Sequence, residues 1–247
     1  MMDAQPSLVR IAVDGLLLDP RAYRAQRDHP DGLRRGLLLV LLIGLAVGLA
    51  TLIGDLGEYL TQPDPAALNQ TLYDGLTSMP WYGPTVSANP EIGPLLDSLF
   101  VGPGALSLSP TPQSALIALL VTPIVSVISW FVGGSFVHIA ARAFGGTGRF
   151  AQTLAAMAVA ASANLLGLVQ VVPYAQFIPG SLLLAGGILG LILSYIAVRE
   201  THGLAPWRAF WAVVVGPLLL TVLLVSLYCC FIFVVVGAAG GLAQGGV

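Results

Sequence analysis

Polar and apolar positions in this chain fall into long blocks rather than short alternations. Five apolar stretches stand out, at about 36–54, 114–141, 150–172, 180–198 and 209–238. A helix needs about 20 apolar residues to cross about 30 Å of hydrocarbon, and each stretch is close to that length or longer. Lipid offers the backbone no hydrogen bonds, and barrel strands would be shorter and would alternate. The pattern therefore predicts an all-α, polytopic membrane protein with five transmembrane helices. Pro123 and Pro217 lie inside the second and fifth stretches and predict kinks.

The blocks between the spans carry their own signals. In the N-terminal segment, 1–35, Leu8, Ile11, Gly15 and Leu18 recur at helical spacing, with Arg10 and Asp14 at i,i+4 on another face. Asp19-Pro20 reads as an N-cap followed by a first helical proline, opening a helix at about 20–28 that stops before His29-Pro30. Both pieces are expected to be short interfacial helices, or a pre-helix packed on the bundle. The membrane domain is 36–247, interrupted by a loop at 55–113 that holds nine of the chain's seventeen prolines. Asp64-Pro65 is expected to open a short helix bearing Leu68, Leu72 and Leu76, and Glu91–Phe100 a second one. Together they would cap one end of the spans.

Charge gives this layout a direction. The ten basic residues are all Arg. Arg10, Arg21, Arg24, Arg27, Arg34 and Arg35 precede the first span. Arg142 and Arg149 flank the second link, and Arg199 and Arg208 the fourth. The 55–113 loop has no base and six acids, Asp55, Glu58, Asp64, Asp74, Glu91 and Asp97, expected to form a solvated, negative cap. Basic links stay in the cytoplasm, which implies a cytoplasmic N-terminus and an exterior C-terminus. The first apolar run follows a mixed-charge segment with no small-residue cleavage pattern, so it is expected to remain as a span.

Composition agrees. The chain is 56% hydrophobic and 9% charged, with a mean hydropathy of +0.87. That is too little charge to cover a water-facing surface. A net charge of −2 with dispersed arginines gives no case for nucleic acid. Cys229 and Cys230 are adjacent within an apolar run, so neither a disulfide framework nor a redox pair is expected.

Candidate chemistry is sparse. None of the apolar stretches contains Asp, Glu, Lys or Arg, whereas ion-coupled transporters usually bury one. His138 lies about one turn from the end of its span and reads as an interfacial hydrogen-bonder. His29, His138 and His202 are widely spaced and suggest no metal-ligand set. No catalytic, cofactor-binding or metal residues are therefore expected. Asn164 is the polar residue deepest in the third span, expected to bond to a neighbouring helix or to line a polar path with Ser162 and Gln170. Gly44 and Gly48, and Gly186 and Gly190, are small-residue pairs suited to close helix packing. Phe144-Gly145-Gly146-Thr147-Gly148-Arg149 lacks a phosphate-loop lysine and reads as a tight hairpin. There Gly145 and Gly146 would permit positive φ, and Thr147 or Gly148 would cap the next helix.

Three segments carry a family likeness: LLLDPRAYRAQ before the first span, FGGTGRFAQTLAAMAVA between the second and third, and VRETHGLAPWRAFWAVVVGPLLL leading into the fifth. In these the chain resembles the Yip family of Rab/Ypt-interacting five-span membrane proteins, and most its prokaryotic branch. The resemblance implies five spans and a cytoplasmic N-terminus. Eukaryotic members bind prenylated Rab-type GTPases and one another, and their longer N-terminal region carries a DLYGP-type motif, of which this chain has only Asp19-Pro20.

The expectation is a non-enzymatic membrane adaptor, scaffold or accessory subunit in a bacterial inner membrane, without cofactor. Its partners would be the lipid bilayer and other membrane proteins or a second copy. Docking would use Arg24, Arg27, Arg34, Arg35, Arg142, Arg149 and Arg208. Packing would use Gly44, Gly48, Gly186, Gly190 and Asn164. The alternative is transport of a small solute or lipid past Asn164.

Overall fold

A computed structural model describes residues 7–61, 65–100, 111–173 and 181–244. The described residues are overwhelmingly helical and contain no strand. In order the helices are α1 (Leu8–Leu16), α2 (Pro20–Asp28), α3 (Gly32–Thr61), α4 (Pro65–Thr77), α5 (Tyr82–Ala88), α6 (Ile92–Phe100), α7 (Pro112–Ala143), α8 (Phe150–Ala160), a 3₁₀ segment (Ala161–Val171), α9 (Ser181–His202) and α10 (Pro206–Gln244). Among the described residues, four helical segments are long and apolar enough to cross a membrane: Gly32–Thr61, Pro112–Ala143, Phe150–Val171 and Pro206–Phe231. The remaining expected span, 180–198, falls on α9, the side chains of whose first five residues lie outside the described ones.

The chain forms two compact units. One comprises Met1–Val47, Val121–Gly167 and Pro179–Val247. Its core joins Ile11 of α1 and Tyr23 of α2 to Leu39 and Ile43 of α3, Ala156 and Val159 of α8, and Leu193 and Ala197 of α9. A second cluster packs Val137, Ala140 and Ala141 of α7 against Ala209, Ala212 and Val213 of α10. Alanine dominates these seams because it lets helix backbones come close. Where even alanine is too large, glycine appears. A Cβ on Gly44 would lie 2.8 Å from the Pro123 Cα, and one on Gly216 would lie 2.9 Å from the Val137 Cα.

The N-terminal segment has a packed side. Asp19 accepts from the Arg21 amide at 2.8 Å, and α2 ends at His29, before Pro30. Tyr23 is fully buried and donates to the Gly15 carbonyl at 3.3 Å; burial raises its pKa. Gln26, also fully buried, donates to the Gly32 carbonyl at 2.8 Å. α2 contacts both α8 and α9. The opposite side of α1 leaves Val9, Val13 and Leu17 exposed.

The other unit comprises Gly48–Leu120 and Leu168–Ile178. α4 and α6 form where Asp64-Pro65 and Glu91–Phe100 predict helices, and Tyr73 of α4 bonds to Asp97 of α6. α3 runs on to Thr61, and Glu58 is buried within it rather than part of a solvated cap. Asp64 lies outside the described residues.

Candidate functional site

The Gly-rich link between α7 and α8 meets the end of α9, and glycine's smallness decides how. α7 closes with the Gly146 amide bonded to the Ala141 carbonyl at 2.9 Å, and Gly145 takes φ +91°. The expected positive φ is thus confined to Gly145. Gly146 and Gly148 are glycines for space instead. A Cβ on Gly146 would lie 2.5 Å from His202 Nδ1, and one on Gly148 would lie 2.8 Å from the Thr201 carbonyl oxygen. The cap of α8 is Arg149, not Thr147 or Gly148; its amide donates to Gln152 Oε1 at 3.1 Å.

Three side chains far apart in sequence converge there. His202 Nδ1 accepts from the Gly148 amide at 3.2 Å, so that nitrogen carries no proton. The proton of a neutral imidazole then sits on Nε2, 2.9 Å from Thr153 Oγ1. The Thr153 hydroxyl donates to the Arg149 carbonyl at 3.1 Å. With its one proton used, it must accept from His138 Nδ1, 2.9 Å away. One donor and two acceptor sites are all filled, so the hydroxyl is saturated. His202 and Thr153 are almost completely buried. Burial first, then His138 and the Arg142 charge, lower the His202 pKa to about 4. The site therefore holds α7, α8 and α9 together with a neutral imidazole.

Sequence spacing had kept the histidines apart. The structure joins His138 and His202, ring centroids 5.3 Å apart, and leaves His29 elsewhere, accepting from the Asp31 amide. Among the described residues no three His, Cys, Asp or Glu side chains form a metal-binding group.

The arginines divide into internal and outward sets. Arg24 pairs with Glu200 at 3.2 Å, and Arg27 with Asp28 at 2.6 Å. Arg27 also donates to the Glu200 carbonyl at the end of α9. Arg34, Arg142, Arg149 and Arg208 are exposed, and Arg35 is partly buried. Arg142 Nη1 donates to the Gly146 carbonyl at 3.2 Å, and Arg208 Nη1 would lie 3.7 Å from a Cβ on Gly145.

The expected packing residues separate likewise. Gly44 sits at a close α3–α7 crossing, and Gly48 is buried in α3. Gly186 and Gly190 make only ordinary contacts, with Leu166 and Ala163. Asn164 is exposed, while Ser162 is the buried polar residue of that segment. Gln170 bonds to Thr51.

A family model for the Yip1 domain matches residues 15–229. No curated protein and no solved structure matches the chain.

Proposed function

The chain belongs to the Yip1 domain family, and from that premise we propose that it is a non-enzymatic adaptor, scaffold or accessory subunit. It is a multi-pass, membrane-associated protein, with four helices among the described residues suited to spanning. The carrying observation is the outward set of guanidinium groups at the ends of α3, α7 and α10 and at the cap of α8. Two of them, Arg142 at the end of α7 and Arg149 at the cap of α8, stand on helices joined by the His202–Thr153–His138 bonds. A fixed basic surface beside the membrane offers a partner register and electrostatic attraction, at little ordering cost.

In this reading α9 supplies a fifth crossing, the arginines face the cytoplasm, the C-terminus is exterior, and the membrane is a bacterial inner membrane in keeping with the prokaryotic likeness. The positive-inside rule and the arginine-free 55–113 loop support that orientation. Gentle extraction with crosslinking, followed by mass spectrometry of co-purifying chains, tests the adaptor role. A recurrent partner crosslinked near Arg34, Arg142, Arg149 or Arg208 is expected. Recovery of the chain alone and monomeric would overturn the proposal. Solute or lipid flux in liposomes, abolished by Asn164→Leu, would establish the transport alternative instead.

A further inference from the structure

We infer that Arg142 and Arg208 form a binding site for the headgroup of an anionic phospholipid at the end of the α7–α10 seam. Both guanidinium groups approach one dipeptide, Arg142 through the Gly146 carbonyl and Arg208 beside Gly145. Neither has an acidic partner among the described residues. The acids that form ion pairs in this unit are engaged elsewhere: Asp14 with Arg10, Asp28 with Arg27, and Glu200 with Arg24. Two guanidinium groups without an acidic partner leave positive charge at this turn, and a bound anion would neutralise it. A phosphodiester oxygen pair suits guanidinium donors.

The surroundings favour a lipid over a soluble anion. α7 ends and α10 begins at this point, and both are apolar enough to span, so the pair sits at headgroup level. From the pair into the spans, the exposed neighbours are Ile139 on α7 and Phe210 on α10. Trp207 is 67% exposed and stacks on Phe210, with centroids 6.2 Å apart. Tryptophan at this depth sits among headgroups, and the exposed apolar side chains offer acyl chains a surface.

The test uses the full chain purified in neutral detergent, with native mass spectrometry after adding phosphatidylglycerol or phosphatidylcholine. Wild type should retain phosphatidylglycerol preferentially. Each guanidinium near a headgroup is worth about fivefold, so R142Q/R208Q should reduce that preference by roughly 25-fold, and R10Q, whose guanidinium is already paired with Asp14, should leave it unchanged. R208Q alone, which removes no hydrogen bond to the hairpin, should reduce it about fivefold and serves if the double variant fails to fold. Equal retention of the two lipids by wild type, or an unchanged preference in R208Q, would overturn the assignment. Displacement by free glycerophosphate as effectively as by intact lipid would do so too.

Discussion

Replacing Gly146 with alanine should destabilise the protein through a contact that only a missing side chain permits. The new Cβ would meet His202 Nδ1 at 2.5 Å, the Ala141 carbonyl oxygen at 2.8 Å and His202 Cβ at 2.8 Å. Favourable approaches begin near 3.5 Å, so the overlap is close to 1 Å. None of these atoms is the loose end of a long side chain. Ala141 belongs to α7, and the imidazole is fixed by the Gly148 amide and Thr153. Overpacking costs about 1–3 kcal/mol. If His202 swings away, the buried Gly148 amide loses its acceptor, at about 1–3 kcal/mol. Taking about 3 kcal/mol in all, the Tm should fall by roughly 6–12 °C. Thermal aggregation followed by size-exclusion chromatography measures it in detergent. Gly133→Ala is the control: that glycine lies within α7 with open space around it. Alanine there should stabilise by about 0.5–1 kcal/mol. If Gly146→Ala melts with wild type, the steric account of the hairpin is wrong.

Thr153→Val keeps the side-chain shape but strips both imidazoles of their shared acceptor; a loss of about 1–3 kcal/mol is expected in the same melting assay. His202 gives a pH dependence of definite sign. Its folded pKa of about 4 lies below the ordinary 6.5, so above pH 6.5 both states are neutral and the protein is at full stability. Between pH 6.5 and 4 only the unfolded chain takes the proton, at a cost of about 1.4 kcal/mol per pH unit, or about 3 kcal/mol in all. Melting temperatures across that range should therefore decline more steeply for wild type than for His202→Asn, and parallel curves would refute the assignment. Asn164→Leu, at an exposed position, should change stability by less than about 0.5 kcal/mol, measured by the same melt.

Local chemistry in the sequence marks several boundaries of the fold. Asp19-Pro20 opens α2 and His29-Pro30 closes it, because a cap and a proline act within a few residues of themselves. The long apolar runs likewise mark α3, α7 and α10. The hairpin shows where such reading stops. Gly145, Gly146 and Gly148 look alike in sequence, yet one serves a backbone angle and two serve the approach of Thr201 and His202, more than fifty residues onward. The same separation hides the meeting of His138 and His202 on Thr153. Gly44 was legible as a packing glycine, but Gly32 and Gly36, which meet Ala155 and Ala158, are spaced four apart around the polar Arg34-Arg35 pair, where the sequence does not suggest a helix-packing face. The 3₁₀ geometry after Ala160 has no local marker either, since Ala, Leu and Val dominate it as they would an α-helix.

That change of winding alters how far the third spanning segment reaches. A 3₁₀ helix rises about 2.0 Å per residue against about 1.5 Å in an α-helix, so its eleven residues gain roughly 5.5 Å without any addition to the chain. Greater reach relieves hydrophobic mismatch in thick bilayers and imposes it in thin ones. Lipid acyl length thus becomes a mechanical load on this one rod, felt along its axis by a stretch whose looser hydrogen-bond geometry is least suited to resist it.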